Sequence, residues 1–70
     1  MNCKILLEFT CNGHKHTFFK RLDTYDNPVV TYNKINARPI KENDLKLIVA
    51  KLQSFFGENN IKNINPIKLQ

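Results

Sequence analysis

Cys11, His14 and His16 lie close together in the chain, and their side chains are the ones best suited to chemistry. Thiolate and imidazole are both zinc ligands, and a cysteine beside a histidine is also the core of a nucleophilic pair. A structural zinc site takes four ligands, however, and the spacing Cys-x2-His-x-His supplies only three. Cys3 lies eight positions before Cys11 on the same predicted strand, too far along it to serve as the fourth. A nucleophilic cysteine needs a lowered thiol pKa, an oriented base and an oxyanion hole. These residues flank a predicted hairpin turn, which offers neither a pocket nor a helix N-terminus. The carboxylates Glu8, Asp23, Asp26, Glu42, Asp44 and Glu58 are scattered, and with only Gly13 and Gly57 there is no glycine-rich phosphate loop. The sequence therefore predicts no enzyme, no metal and no cofactor. It leaves Cys11 at the edge of a core with His14 and His16 at its wet rim, where imidazole titration would make binding pH-sensitive.

The elements that position these residues begin with alternation. Cys3, Ile5, Leu7, Phe9 and Cys11 alternate with Lys4, Leu6, Glu8 and Thr10, the period of a strand. Asn12-Gly13 follows, a type I′ hairpin signal because both central residues must take positive φ. A second strand then runs from His14 to about Leu22. A regular two-residue hairpin would place Cys11 opposite His14, Phe9 opposite His16, Leu7 opposite Phe18 and Cys3 opposite Leu22. Its other face would pair Leu6 with Phe19, Lys4 with Arg21 and Glu8 with Thr17. On such a strand Cys3 and Cys11 are ~27 Å apart at about 3.4 Å per residue. A disulfide spans only about 4.4–6.8 Å between Cα atoms. Free thiols, and hence a reducing, cytoplasmic setting, are expected.

Asp23 to Asn27 reads as a turn, and Val29 to Ile35 as a third strand. Either Val29 and Ile35 or Val30 and Tyr32 face inward on it. Leu45, Ile48, Val49, Leu52, Phe55 and Phe56 recur at helical spacing after the acidic and cap-forming Glu42, Asn43 and Asp44, and Gly57 ends the helix. Pro66 confines any last strand to an edge or splits it, and a short strand is placed near Asn60 to Ile64. The expected architecture is α+β. A small antiparallel sheet, hairpin plus third strand, packs on one amphipathic helix in the order β-β-β-α-(β), as a single domain over residues 1–70.

Composition narrows the function. Seventy residues carry eleven Lys+Arg against six Asp+Glu, a net charge of +5. The longest apolar runs are far short of the ~20 residues that cross a bilayer, and Glu8 interrupts Ile5-Leu6-Leu7 before it can act as a secretory segment. Lysine outnumbers arginine nine to two, and the charges are spread along the chain. That weakens a nucleic-acid reading, because arginine makes the bidentate contacts to phosphate and guanine. The surface singled out is the outer face of the hairpin. There Leu6 and Phe19 would form an apolar pair among Lys4, Lys15 and Arg21, joined by Tyr32 and Lys34 if Val29 and Ile35 face inward. This face predicts a non-enzymatic module that docks on an acidic macromolecular surface, with a protein or nucleoprotein complex favoured. Small size and AT-rich codon usage suggest a phage or mobile-element inhibitor of a host defence complex, of the anti-CRISPR or anti-restriction class. The alternative is sequence-nonspecific nucleic-acid binding by a basic-aromatic sheet face. No membrane partner is expected, and the chain would be a monomer or weak homodimer.

Overall fold

The computed structural model describes residues 3–69. Its strands are β1 (Lys4–Cys11), β2 (His14–Leu22), β3 (Pro28–Thr31), β4 (Ile40–Lys41) and β5 (Ile61–Leu69), with one helix, α1 (Leu45–Phe56). Short 3₁₀ turns occupy Lys34–Asn36, Glu42–Asp44 and Glu58–Asn60. The sheet is antiparallel throughout, and β1 is its centre. β5 runs along one edge of β1, while the other edge is shared by β2 near Cys11 and by β4 at Lys4 and Ile5. β3 extends the sheet beyond β2. The α+β class and the element order agree with the sequence reading, with the two-residue β4 added.

One face of the sheet carries the main core. Leu7, Phe9 and Cys11 of β1, Phe19 of β2 and Ile61 of β5 pack with Ile48 and Leu52 of α1. Leu52 is fully buried, a burial worth about 2–3 kcal/mol. Leu45, Val49 and Phe56 close the helix side, so five of the six predicted stripe residues do face the sheet. The sixth, Phe55, is half exposed and meets Phe56 edge to face at 4.9 Å. Gly57 ends the helix at φ 97°, its N–H donating to the Gln53 carbonyl at 2.9 Å. A Cβ at Gly57 would stand 2.9 Å from Asn60 Nδ2, an amide that caps the Phe56 carbonyl.

The hairpin turn is as predicted, with φ 51° at Asn12 and 80° at Gly13, and Cys11 faces His14. Beyond that pair the predicted register fails by one residue. Phe9 faces Thr17 rather than His16, and Glu8 faces Phe18 rather than Thr17. The cause is a bulge at Lys15-His16, where His16 adopts a left-handed φ of 60°. One extra residue flips every later side chain to the opposite face. Thr17 is consequently buried, its hydroxyl donating to the His14 carbonyl at 2.9 Å. Phe19 turns into the main core, and Phe18 takes the far face beside Glu8.

The rest of β2 departs from β1 altogether. Leu22 pairs with Pro28, not Cys3, and Lys4 faces Lys41 of β4, not Arg21. The third strand stops at Thr31, with Val30 against the core, and Ile35 is 89% exposed in the following turn. The arrangement with Val29 and Ile35 inward is therefore overturned. β5 is longer than the predicted Asn60–Ile64. It passes through Pro66, which faces Leu7. Pro66 is tolerated because β5 is an edge, where a missing N–H breaks no ladder on the solvent side.

Candidate basic docking face

Alternation and register assign the face of the sheet away from α1. β1 contributes Lys4, Leu6, Glu8 and Thr10 to it, and cross-strand partners share a face. Lys4 brings Lys41 and Leu69, Leu6 brings Ile67, Glu8 brings Phe18 and Asn65, and Thr10 brings Lys62. A second bulge in β2, at Lys20, puts Arg21 beside Val29 on the same face. Lys34, in the turn that contacts β2, is close enough to Glu8 to act on its charge. Lys15 lines a hollow shared with Glu8, Thr10 and His16. Lys4, Lys15, Arg21, Lys34, Lys41 and Lys62 are all exposed, and Glu8 is the only acid that register places among them in the described residues.

The six cations stand on a face that α1 does not cover; Leu6 and Phe18 at its centre are buried, and the Lys34–Asn36 turn lies against β2. The other acids lie elsewhere: Glu42, Asp44 and Glu58 at the ends of α1, and Asp23 and Asp26 in the β2–β3 turn. That turn is clamped to the helix by an ion pair between Lys51 and Asp26. Folding thus gathers charges that are scattered in the sequence into a strongly basic face and leaves the other five cations balanced by five acids elsewhere. Lys4 directly opposite Lys41 is a like-charge cross-strand pair, a locally destabilising choice that an acidic partner would relieve.

Of the predicted surface residues, Lys4, Lys15, Arg21 and Lys34 are brought together here. Leu6 shares the face but is buried, with 8% exposure. Phe19 is on the opposite face in the core, so the proposed Leu6–Phe19 surface pair does not exist. Tyr32 is exposed and stacks on His14 at 3.9 Å with an interplanar angle of 17°. The sequence reading missed Lys41 and Lys62, whose membership depends on β4 and β5 pairing with β1. The exposed Tyr25 and Phe55 flank a separate hollow of about 310 Å³ beside α1.

Glu8 organises the centre of the face. Its Oε2 receives a 3.0 Å hydrogen bond from His16 Nδ1, and its Oε1 receives one of 3.1 Å from Asn65 Nδ2. The bond from His16, then that from Asn65, hold the Glu8 carboxyl below its ordinary value, with help from Lys34 and against partial burial. A depressed folded value means the contribution is complete above the ordinary carboxylate pKa of 4.5 and disappears as pH falls through the lower folded value. Glu8→Gln should therefore lower stability at pH 7 by under about 1 kcal/mol, because the pair is solvent-screened. Urea unfolding should show the variant and the parent converging as pH falls below the ordinary carboxylate range and Glu8 is protonated, and a gap that persists in acid would contradict this account.

The Cys11, His14 and His16 cluster is not assembled. Cys11 faces the core, where burial pushes its thiol up, away from the reactive thiolate. His14 Nδ1 lies 2.9 Å from the Lys15 carbonyl, and the bulge commits His16 to Glu8. Among the described residues no three His, Cys, Asp or Glu side chains are grouped to hold a metal ion. Both cysteines are free, Cys3 exposed and Cys11 buried. No helix among the described residues is long and apolar enough to cross a membrane.

Comparison with known proteins identifies no relative: no family model, no curated protein and no solved structure matches the chain.

Proposed function

We propose that this chain is a non-enzymatic docking module whose basic sheet face binds an acidic protein surface. The observation that carries the reading is the grouping of Lys4, Lys15, Arg21, Lys34, Lys41 and Lys62 around one acid whose oxygens are already engaged. Opposite charge steers encounter and fixes orientation. Apolar side chains lie among these cations: Ile67 and Leu69 on β5, and the exposed Ile35 next to Lys34. A basic rim with aliphatic anchors suits a protein partner.

The nucleic-acid alternative loses part of its aromatic platform, because Phe19 is in the core and Phe18 is buried. It keeps the exposed Tyr32, stacked on His14 next in the chain to Lys15, a narrower surface for base stacking. Size and composition continue to suggest an inhibitor that occupies a site on a nucleoprotein machine.

The test is a pull-down with the tagged chain, with and without nuclease, compared with a Lys41→Glu/Lys62→Glu variant and a Lys46→Glu control on α1. A protein retained after nuclease, lost with the double variant and kept by the control is the expected result. Equal capture by the double variant overturns the reading. So does tight binding of duplex or single-stranded oligonucleotides at 50 mM salt with the steep salt dependence of phosphate contacts.

A further inference from the structure

Two bulges meet at the same level of β1. On the β2 side, Lys15 and His16 together oppose Thr10. On the β5 side, Asn63 and Ile64 fall between the pairs Glu8–Asn65 and Thr10–Lys62. Both bulges use left-handed backbone at residues other than glycine, φ 60° at His16 and 54° at Asn63. Asparagine tolerates this region well, whereas histidine enters it at a cost of order 1 kcal/mol. Bulges and strained backbone of this kind re-aim side chains and recur beside binding sites. Here they open a hollow of about 260 Å³ lined by Glu8, Phe9, Thr10, Lys15, His16 and Asn63.

Two donors at that hollow, on Lys15 and Thr10, have no partner among the described residues. Both Glu8 oxygens are engaged, one by His16 and one by Asn65. Thr10 Oγ1 already accepts from Asn63 Nδ2 at 3.2 Å, which leaves its hydroxyl hydrogen free to donate. Lys15 supplies an ammonium with no carboxylate within ion-pairing distance among the described residues. His16 Nδ1 is turned to Glu8 and its side chain is 79% exposed, so Nε2 is presented to solvent.

We infer that the hollow at the two bulges receives a carboxylate side chain, Asp or Glu, of the docked partner, with Lys15 and Thr10 as its principal donors. This rests on the proposed basic docking face and names the point on it where an acidic anchor inserts. Charge-assisted bonds are the strong ones in such contacts, and a central pocketed anchor concentrates interface energy.

The test uses the ¹⁵N-labelled full chain titrated with a blocked tetraglutamate peptide at low salt. Saturable amide shifts at Thr10, Lys15, His16 and Asn63 are expected. Lys15→Ala and Thr10→Val should each weaken the apparent affinity at least about threefold, and both positions are away from the main core. Shifts at Lys4 and Lys41 with none at the hollow would overturn the anchor site while leaving the docking face standing. No saturable shift anywhere on the sheet face would overturn both. A duplex oligonucleotide producing the same shifts more tightly than the peptide would overturn the carboxylate assignment.

Discussion

Phe19→Ala is expected to cost about 3–5 kcal/mol of folding stability, the usual penalty for truncating a buried aromatic side chain. Phe19 is 4% exposed and packs in the cluster that joins Leu7, Phe9 and Cys11 to Ile48 and Leu52 of α1. A domain of this size holds roughly 3.5–10 kcal/mol in total, at about 0.05–0.15 kcal/mol per residue. The variant should therefore be largely unfolded at or below 37 °C, as read by circular dichroism and urea titration. The outcome separates two registers of the same hairpin. In the regular register Phe19 lies on the outer face, and its truncation would change stability little while weakening partner binding. A well-folded Phe19→Ala protein would mean that the Lys15-His16 bulge is misplaced, and with it the composition of the basic face.

Lys4→Glu is expected to do the reverse, raising stability while removing function. Lys4 stands directly opposite Lys41 across the β1–β4 ladder. Reversing one member replaces repulsion by attraction, and cross-strand charge pairs are worth about 0.2–1 kcal/mol. A gain of roughly 0.5 kcal/mol in urea unfolding at low salt should follow, shrinking as salt screens the pair. Binding to the acidic partner should fall at least about tenfold, equivalent to about 1.4 kcal/mol. The opposite signs are the diagnostic feature, since a variant that lost binding through misfolding could not gain stability. If Lys4→Glu binds as well as the parent, the basic face is not the docking surface.

Much of the architecture was legible without coordinates. The alternation of Cys3 to Cys11, the Asn12-Gly13 turn, the helical recurrence from Leu45 to Phe56 and the stop at Gly57 are local signals. Each follows from backbone sterics and a period that the chain itself displays. Pro66 marked the last strand as an edge or a broken one for the same reason, a missing N–H being a property of the residue, and the edge is what the structure has. Cys3 and Cys11 could be kept from pairing because one strand holds them apart. The candidate face was legible in part, through Lys4, Lys15, Arg21 and Lys34.

What remained hidden was register. A bulge is usually announced by glycine, and here the left-handed positions are His16 and Asn63. No local propensity marks His16 as an extra residue, yet that residue decides whether Phe18 or Phe19 enters the main core and whether Thr17 is buried. Lys41 and Lys62 join Lys4 and Thr10 only because β4 and β5 pair with β1 across more than thirty residues of chain. The sequence by itself determined the elements, their order and a net charge of +5. Only the tertiary structure decided which face holds that charge. Period-two alternation sorts a strand's side chains into two sets, but which set faces the helix, and which cations stand together, depends on long-range pairing.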